Sequence, residues 1–156
     1  MNDFPSLKKM QRSLWMFGLF KIPMIAFCRP KVVIWNENEI VLCIKNSRLT
    51  NNHFKSLYFG AIMVGSDLAA GMHAFAYMAE NKQKISIAFK SCKAAFFQRP
   101  DKHVFFQAIA GETVRKMIAR SQTNKIRVHE FIEVIITDSN QMVVAKVEME
   151  LSIKVM

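Results

Sequence analysis

Several residue types that mark special architectures are scarce in this sequence. Its 156 residues include four prolines, five glycines and three cysteines. Cys28, Cys43 and Cys92 are isolated and odd in number, so neither a disulfide framework nor a cysteine metal site is predicted. Isolated thiols used as small core residues are typical of proteins in a reducing compartment. We therefore expect a cytoplasmic protein.

Long apolar runs and the common catalytic signatures are also missing. The apolar stretches 13–20 and 22–28 are interrupted by Lys21 and Pro23, and neither approaches the ~20 residues of a membrane-spanning helix. The basic start carries no Ala-x-Ala cleavage site, so a signal peptide is not expected. We find no phosphate-binding glycine loop, no serine or cysteine nucleophile motif and no metal-ligand spacing among the four histidines. The sequence predicts no metal and no bound cofactor.

Acidic residues are few relative to basic ones. The chain has 12 Asp and Glu against 22 Lys and Arg, a net charge of +10, concentrated in residues 1–31, 82–102 and 115–127. Such a field favours a polyanionic partner: a nucleotide-tailed substrate, an acidic carrier protein, nucleic acid or an anionic membrane. A solvated basic surface without a partner is the alternative. Because aromatic residues do not interleave with the basic ones, nucleic acid is not the expected partner.

The first part of the chain has the pattern of an amphipathic helix from about Ser6 to Phe20. The apolar residues that follow helical spacing are Leu7, Met10, Leu14, Phe17 and Phe20. The helix is expected to cover the core or the binding cleft. Weak contact with a membrane surface through this helix is the alternative.

The remaining segments predict an α+β fold in one domain, 1–156, with an N-terminal helical segment (1–30) and a core (31–156). A hairpin is followed by a long helix, a strand, and a second group of strands interrupted by a short helix. The predicted strands cover 31–35, 39–45, 85–97, 102–109, 127–137 and 142–155, and the predicted core helices cover 58–80 and 111–122. This order indicates one antiparallel sheet covering one helix, and sheets of this kind pair edge to edge, so we expect a dimer.

Asp67 is the most informative residue of the long helix. It is the one charged residue on a helical face formed by Gly60, Met63, Val64, Asp67, Ala70, Gly71 and Ala74. An ionised carboxylate in a buried helix costs several kcal/mol unless it is paired. Asp67 is therefore either a hydrogen-bonded structural carboxylate or a group whose unfavourable burial serves chemistry.

Order of elements and motif together resemble the hotdog-fold acyl-CoA thioesterases of the phenylacetyl-CoA type. Members of that family carry an Asn, then His-Gly-Gly at the start of the central helix, then an Asp two turns later. Here Asn52, the tripeptide 58–60 (Tyr-Phe-Gly) and Asp67 occupy these positions. Tyr58 replaces the family's His, and Phe59 replaces its first Gly.

The resemblance implies that a curved antiparallel sheet wraps the central helix and that the protein hydrolyses acyl-CoA or acyl-carrier thioesters. The resemblance further implies that Asp67 is the general base or nucleophile and that the Gly60 N–H polarises the thioester carbonyl. Asn52 would position water or the carbonyl, although an Asn in such a loop is also typical of a turn. Tyr58 would offer its hydroxyl.

The resemblance also implies a site shared between two subunits, so a homodimer or a dimer of dimers is expected. Lys90, Lys93 and Arg120 are candidates for binding the phosphates of coenzyme A, which enters as part of the substrate. The alternative from another functional class is a non-catalytic acyl- or lipid-binding protein with the same fold.

Overall fold

The computed structural model describes residues 5–156; residues 1–4 of the predicted N-terminal segment lie outside that range. The described part of the chain contains four helices and six strands. They are α1 (Leu7–Phe20), α2 (Pro23–Cys28), β1 (Lys31–Trp35), β2 (Glu39–Ile44), α3 (Phe59–Asn81), β3 (Ile85–Phe96), β4 (Val104–Ile109), α4 (Gly111–Asn124), β5 (Val128–Asp138) and β6 (Val143–Val155). The predicted boundaries agree with these to within about two residues.

The six strands form one sheet in the order β1-β2-β4-β5-β6-β3, and every neighbouring pair is antiparallel. The curved sheet wraps α3, which contacts five of the strands. β5 and β6 join through a turn in which Asp138 Oδ1 accepts the N–H groups of Asn140 and Met142, at 2.8 and 3.0 Å. The predicted α+β architecture is confirmed.

Small residues bring α3 into close contact with the sheet. Ala69, Ala70 and Ala74 are fully buried. At Gly65 a Cβ atom would lie 2.5 Å from the ring of Phe106 on β4, so the helix occupies this position because the side chain is absent. By length and composition α3 could span a membrane, but most of its surface is buried inside the fold. It is the core helix of the sheet.

The N-terminal helices flank this core. Ser6 caps α1 by accepting the Lys9 N–H at 3.3 Å, and Gln11 ties α1 to β1 by accepting the Val32 N–H at 2.6 Å. Met10 and Leu14 are buried as predicted. The predicted buried stripe is wrong at both of its ends. Leu7 is 40% exposed. Phe20 is 72% exposed, because it lies a third of a turn beyond the buried stripe. The short helix α2, which follows it, was not predicted.

β3 forms one edge of the sheet, since it pairs with β6 on one side and with no strand of the described chain on the other. Its register shifts between Phe89 and Cys92, where an irregularity of the β-bulge type interrupts the ladder with β6. At the other end of the domain the β1–β2 turn packs on α4. Gly111 allows this contact, because a Cβ there would clash with the Glu37 carbonyl oxygen.

The contact between Gly65 and Phe106 predicts a large difference between two helical glycines. We expect Gly65→Ala to destabilise the protein by about 1–3 kcal/mol, because the added methyl group overpacks a fully buried ring. Gly71→Ala is the matched control. Its Cβ would make ordinary contacts at 3.6 Å, and alanine favours a helix interior over glycine by roughly 0.5–1 kcal/mol. Urea unfolding of both variants measures the difference, and equal stability would contradict the close approach.

Candidate functional site

Asp67 lies on α3, half-buried, and has no hydrogen-bond or ion-pair partner within residues 5–156. Burial raises the pKa of its carboxyl group above the usual value, and no nearby cation opposes this effect. Among the described residues, therefore, the hydrogen-bonded structural interpretation of Asp67 finds no partner. A carboxylate with these properties is more basic than one in water and can accept a proton from a bound nucleophile.

The start of α3 leaves backbone donors available. Tyr58 is the N-cap residue, with extended backbone, but its side chain makes no capping hydrogen bond. The first-turn N–H groups of a helix have no intrahelical acceptor, so they can bind an anionic or strongly polarised oxygen. The Tyr58 ring folds over Gly60, where a Cβ would lie 2.6 Å from Cε1. A side chain at residue 60 would therefore have to displace the exposed Tyr58 ring.

Asn52 forms the turn that precedes α3. Its Oδ1 accepts the Phe54 N–H at 2.9 Å, the Ser56 N–H at 3.3 Å and the Ser56 hydroxyl at 3.1 Å. The amide oxygen is thus committed to the loop, as the turn interpretation predicts. The Nδ2 group has no hydrogen bond to any described residue, so it remains a donor.

Exposed phenylalanine rings occur at the start of α3 and in the loop before it, and the sequence patterns did not predict their contacts. The rings of Phe59 and Phe96 lie 5.8 Å apart, and the Arg99 guanidinium lies 4.7 Å from the centre of the Phe54 ring. All three phenylalanines are about half exposed or more. Phe59 begins α3 and Phe96 ends the edge strand β3, so no local sequence spacing could have predicted the contact between their rings.

The three cations expected to bind coenzyme A phosphates are not adjacent. Lys90 lies 3.8 Å from Glu150, and Arg120 forms an ion pair with Glu130 at 2.6 Å. Lys93 is exposed and has no ion pair among the described residues. Of the three cations, Lys93 is therefore the one that is not paired with a carboxylate among the described residues.

Strand register separates these cations. Directly opposite residues of an antiparallel pair lie on one face. Glu130 is opposite Leu151, which is opposite Phe89, and the Phe89 ring lies near Gly71 of α3. Arg120 therefore reaches the helix-covered face. Glu150 is adjacent to Leu151 along β6, so its side chain lies on the opposite, outer face together with that of Lys90. Glu148 lies on the same outer face, and so does Lys93, which is opposite Glu148.

Two cavities lie away from Asp67. One, of about 350 Å³, separates α1 from α3 and is mostly apolar; Leu14, Phe17, Met72 and Phe75 are among its lining residues. The other, of about 320 Å³, lies between α3, α4 and the β1–β2 turn. Asp67 lines neither of them.

His73 and Glu80 lie where α3 borders these cavities. His73 is buried, stacks on Trp35 with ring centres 4.8 Å apart and donates from Nε2 to the Asn36 carbonyl at 3.1 Å. Burial lowers its pKa. Glu80 lines both cavities and burial raises its pKa.

No protein-family description matches the chain, and no curated protein matches its sequence. Solved structures do match. A protein of unknown function from Chlorobaculum tepidum superposes with a TM-score of 0.81 at 10% identity, over 98% of this chain and 99% of that one. A mutant thioesterase from Pseudomonas aeruginosa gives 0.69 at 11% identity, over 97% and 96%.

A thioesterase from Haemophilus influenzae gives a TM-score of 0.69 at 9% identity, over 97% of this chain and 92% of that one. Such low identities carry information about the fold rather than the chemistry. Together with the sheet order and the wrapped helix α3, they show that this chain has the hotdog fold.

Proposed function

We propose that the protein hydrolyses acyl thioesters of coenzyme A or of an acyl carrier, with Asp67 as general base or nucleophile. One observation carries the proposal: Asp67 is held half-buried on α3, and its carboxylate has no partner among residues 5–156. The thioesterases that share the fold support the reaction class.

In the general-base form, a water molecule attacks the carbonyl carbon while Asp67 accepts its proton. The developing oxyanion is stabilised by the Gly60 N–H at the start of α3, where the helix dipole adds a favourable field. The tetrahedral intermediate then breaks its C–S bond, and the proton is transferred to the departing thiolate. The products are a carboxylic acid and a free thiol.

Neighbouring side chains would orient the substrate. Asn52 retains a free amide N–H group for the water or carbonyl, and Tyr58 has an exposed hydroxyl beside Gly60. Phe59 and Phe96 offer aromatic surface for the acyl or pantetheine chain. Lys93, which has no ion pair among the described residues, is the first candidate for a coenzyme A phosphate, and Lys90 and Arg120 would have to exchange their carboxylate partners.

A second subunit would complete the site. β3 is an open edge strand twelve residues long, and it ends at Phe96 beside the start of α3. Pairing of two β3 strands would place the helix start of one subunit opposite Asp67 of its partner.

A non-catalytic acyl- or lipid-binding protein is the second candidate. The apolar cavity between α1 and α3 favours this function, because none of the proposed catalytic residues lines the cavity and it could hold an acyl chain. The two functions differ in their dependence on Asp67. This residue does not line the cavity, so binding there does not require its carboxylate.

Hydrolysis of a panel of acyl-CoAs, followed by thiol release, tests the enzyme proposal. We expect Asp67→Asn to lower kcat by about 10²–10⁴-fold, as for the loss of a general base. Asp101→Asn, at an exposed loop position, is the matched control and should leave the rate unchanged. Equal rates for the wild type and Asp67→Asn, or no turnover on any chain length or carrier, would contradict the proposal.

Complementation between inactive subunits tests the shared site. Asp67→Asn and Gly60→Val should each abolish turnover, the second because a side chain would displace the Tyr58 ring and fill the approach to the backbone. Mixed and refolded together, they should recover about a quarter of the wild-type activity, because half of the dimers carry one intact site out of two. Mixing without recovery would place Asp67 and the helix start that serves it in one subunit.

The pH dependence of stability tests the burial of Asp67. Burial raises its folded-state pKa above the unfolded value of about 3.9, so the native state binds a proton more tightly than the unfolded state. Stability should therefore fall as pH rises through this interval. Asp67→Asn should be more stable than the wild type at neutral pH and should lose that advantage in acid. Urea midpoints across this range, with Asp101→Asn as control, measure the effect; a less stable Asp67→Asn at neutral pH would contradict it.

A further inference from the structure

The outer surfaces of α1 and α2 expose an unusual number of large apolar side chains. Phe20 is 72% exposed, Phe27 61% and Trp15 60%. Four more exposed apolar residues lie in the same two helices or between them: Met16, Leu19, Ile22 and Met24. Apolar groups concentrated in this way on a protein surface mark a site of contact with another molecule or with a membrane. We call the seven residues the N-terminal apolar patch.

The patch is distinct from the apolar stripe that folds α1 onto the core. Met10 and Leu14 are buried on the inner side of α1, whereas Trp15 and Leu19 lie about a third to a half of a turn away. Gly18 brings α2 into contact with α1, since a Cβ at this position would lie 3.0 Å from the Ala26 nitrogen. The two helices therefore present their exposed side chains as one packed unit.

The charged residues of the segment that carries the patch have one sign. Exposed cations in this segment are Lys8, Arg12, Lys21, Arg29 and Lys31, and no acidic residue occurs between Asp3 and Glu37. Glu80 of α3 approaches α1 on its inner side, at the cavity lined by Met10 and Leu14. Lys8 and Arg12 precede Trp15 and Leu19 on one face of α1, at spacings of four, three and four residues. None of these five cations forms an ion pair with a described residue. Apolar and aromatic groups beside unpaired cations are the features of helices that lie in the interface of an anionic bilayer.

From this combination we propose that α1 and α2 dock on an anionic lipid surface, with Trp15, Phe20 and Phe27 inserted at the headgroup level. The proposal is independent of the thioesterase assignment. A second copy of the chain fits the patch less well, because a two-fold contact would bring the same cations together. An anionic bilayer supplies both the apolar layer and the countercharge that the patch requires.

Vesicle binding by the full chain tests the docking. We expect the protein to sediment with vesicles of phosphatidylcholine and phosphatidylglycerol, to bind phosphatidylcholine vesicles far more weakly, and to dissociate as salt is added. Trp15 reports insertion: its emission should shift to shorter wavelength on the anionic vesicles. Trp15→Phe should abolish the shift, because Trp35 is buried against His73.

Two sets of variants separate the apolar and the electrostatic contributions. Phe20→Ser with Phe27→Ser should weaken binding by at least tenfold, from the lost apolar burial of two rings. Lys8→Gln with Arg12→Gln should weaken it by about fivefold for each cation removed. The matched controls Phe131→Ser and Lys154→Gln, exposed on β5 and β6, should bind as the wild type does.

Three results would overturn the proposal. The first is a failure of the wild type to bind anionic vesicles at low salt. The second is binding that survives the phenylalanine substitutions, or that the control substitutions reduce equally. The third is a change of oligomeric state, measured by light scattering, when Phe20 and Phe27 are replaced, since the patch would then be covered by another copy of the chain. Acyl-CoA hydrolysis is measured separately, so its absence leaves this test unaffected.

Discussion

The close approach of α3 to the sheet is the constraint on which the rest of the structure depends. It is made possible by the missing side chain at Gly65, against which the ring of Phe106 packs, and by the alanines that follow. At this distance the sheet can curve around a single helix and bury almost every inward side chain of its central strands. The same approach withdraws Asp67 from water, although its side chain is on a different side of the helix from Gly65.

α3 therefore contributes both to the core and to the candidate site. Its small residues let it pack closely against the sheet, and the face that carries Gly60 and Asp67 continues into the fully buried Ala70 and Ala74. The helix start adds unpaired N–H groups beneath the Tyr58 ring, and the open edge of β3 ends nearby at Phe96. The candidate chemistry and the candidate assembly therefore occupy the same side of the domain, while the N-terminal helices and their apolar patch belong to another part of its surface.

The sequence was sufficient for the elements with strong periodicity. The alternation of β6 and the long apolar run of α3 predicted both elements, and the order of elements led to the fold. The helix α2 was missed because six residues are too few for a helical period, and because Pro23 looked like a break when it is the first residue of the helix.

The site was less accessible to prediction. The separation of Lys90 from Arg120 depends on which face of the sheet each side chain occupies, and the use of the Asn52 oxygen depends on the path of a loop. Periodicity predicts neither of these. The apolar stripe of α1 gave the buried residues Met10 and Leu14, but the opposite surface was recognised only when the neighbouring helix was in place.

The bulge between Phe89 and Cys92 has a consequence for solubility. A long, flat and unpaired strand is a template on which chains can add without limit and form fibrils. A bulge twists the edge and interrupts its ladder, so a further strand cannot add in uniform register along the whole of β3. The protein thereby keeps an edge that can be used for specific pairing, and the same irregularity protects it against open-ended aggregation.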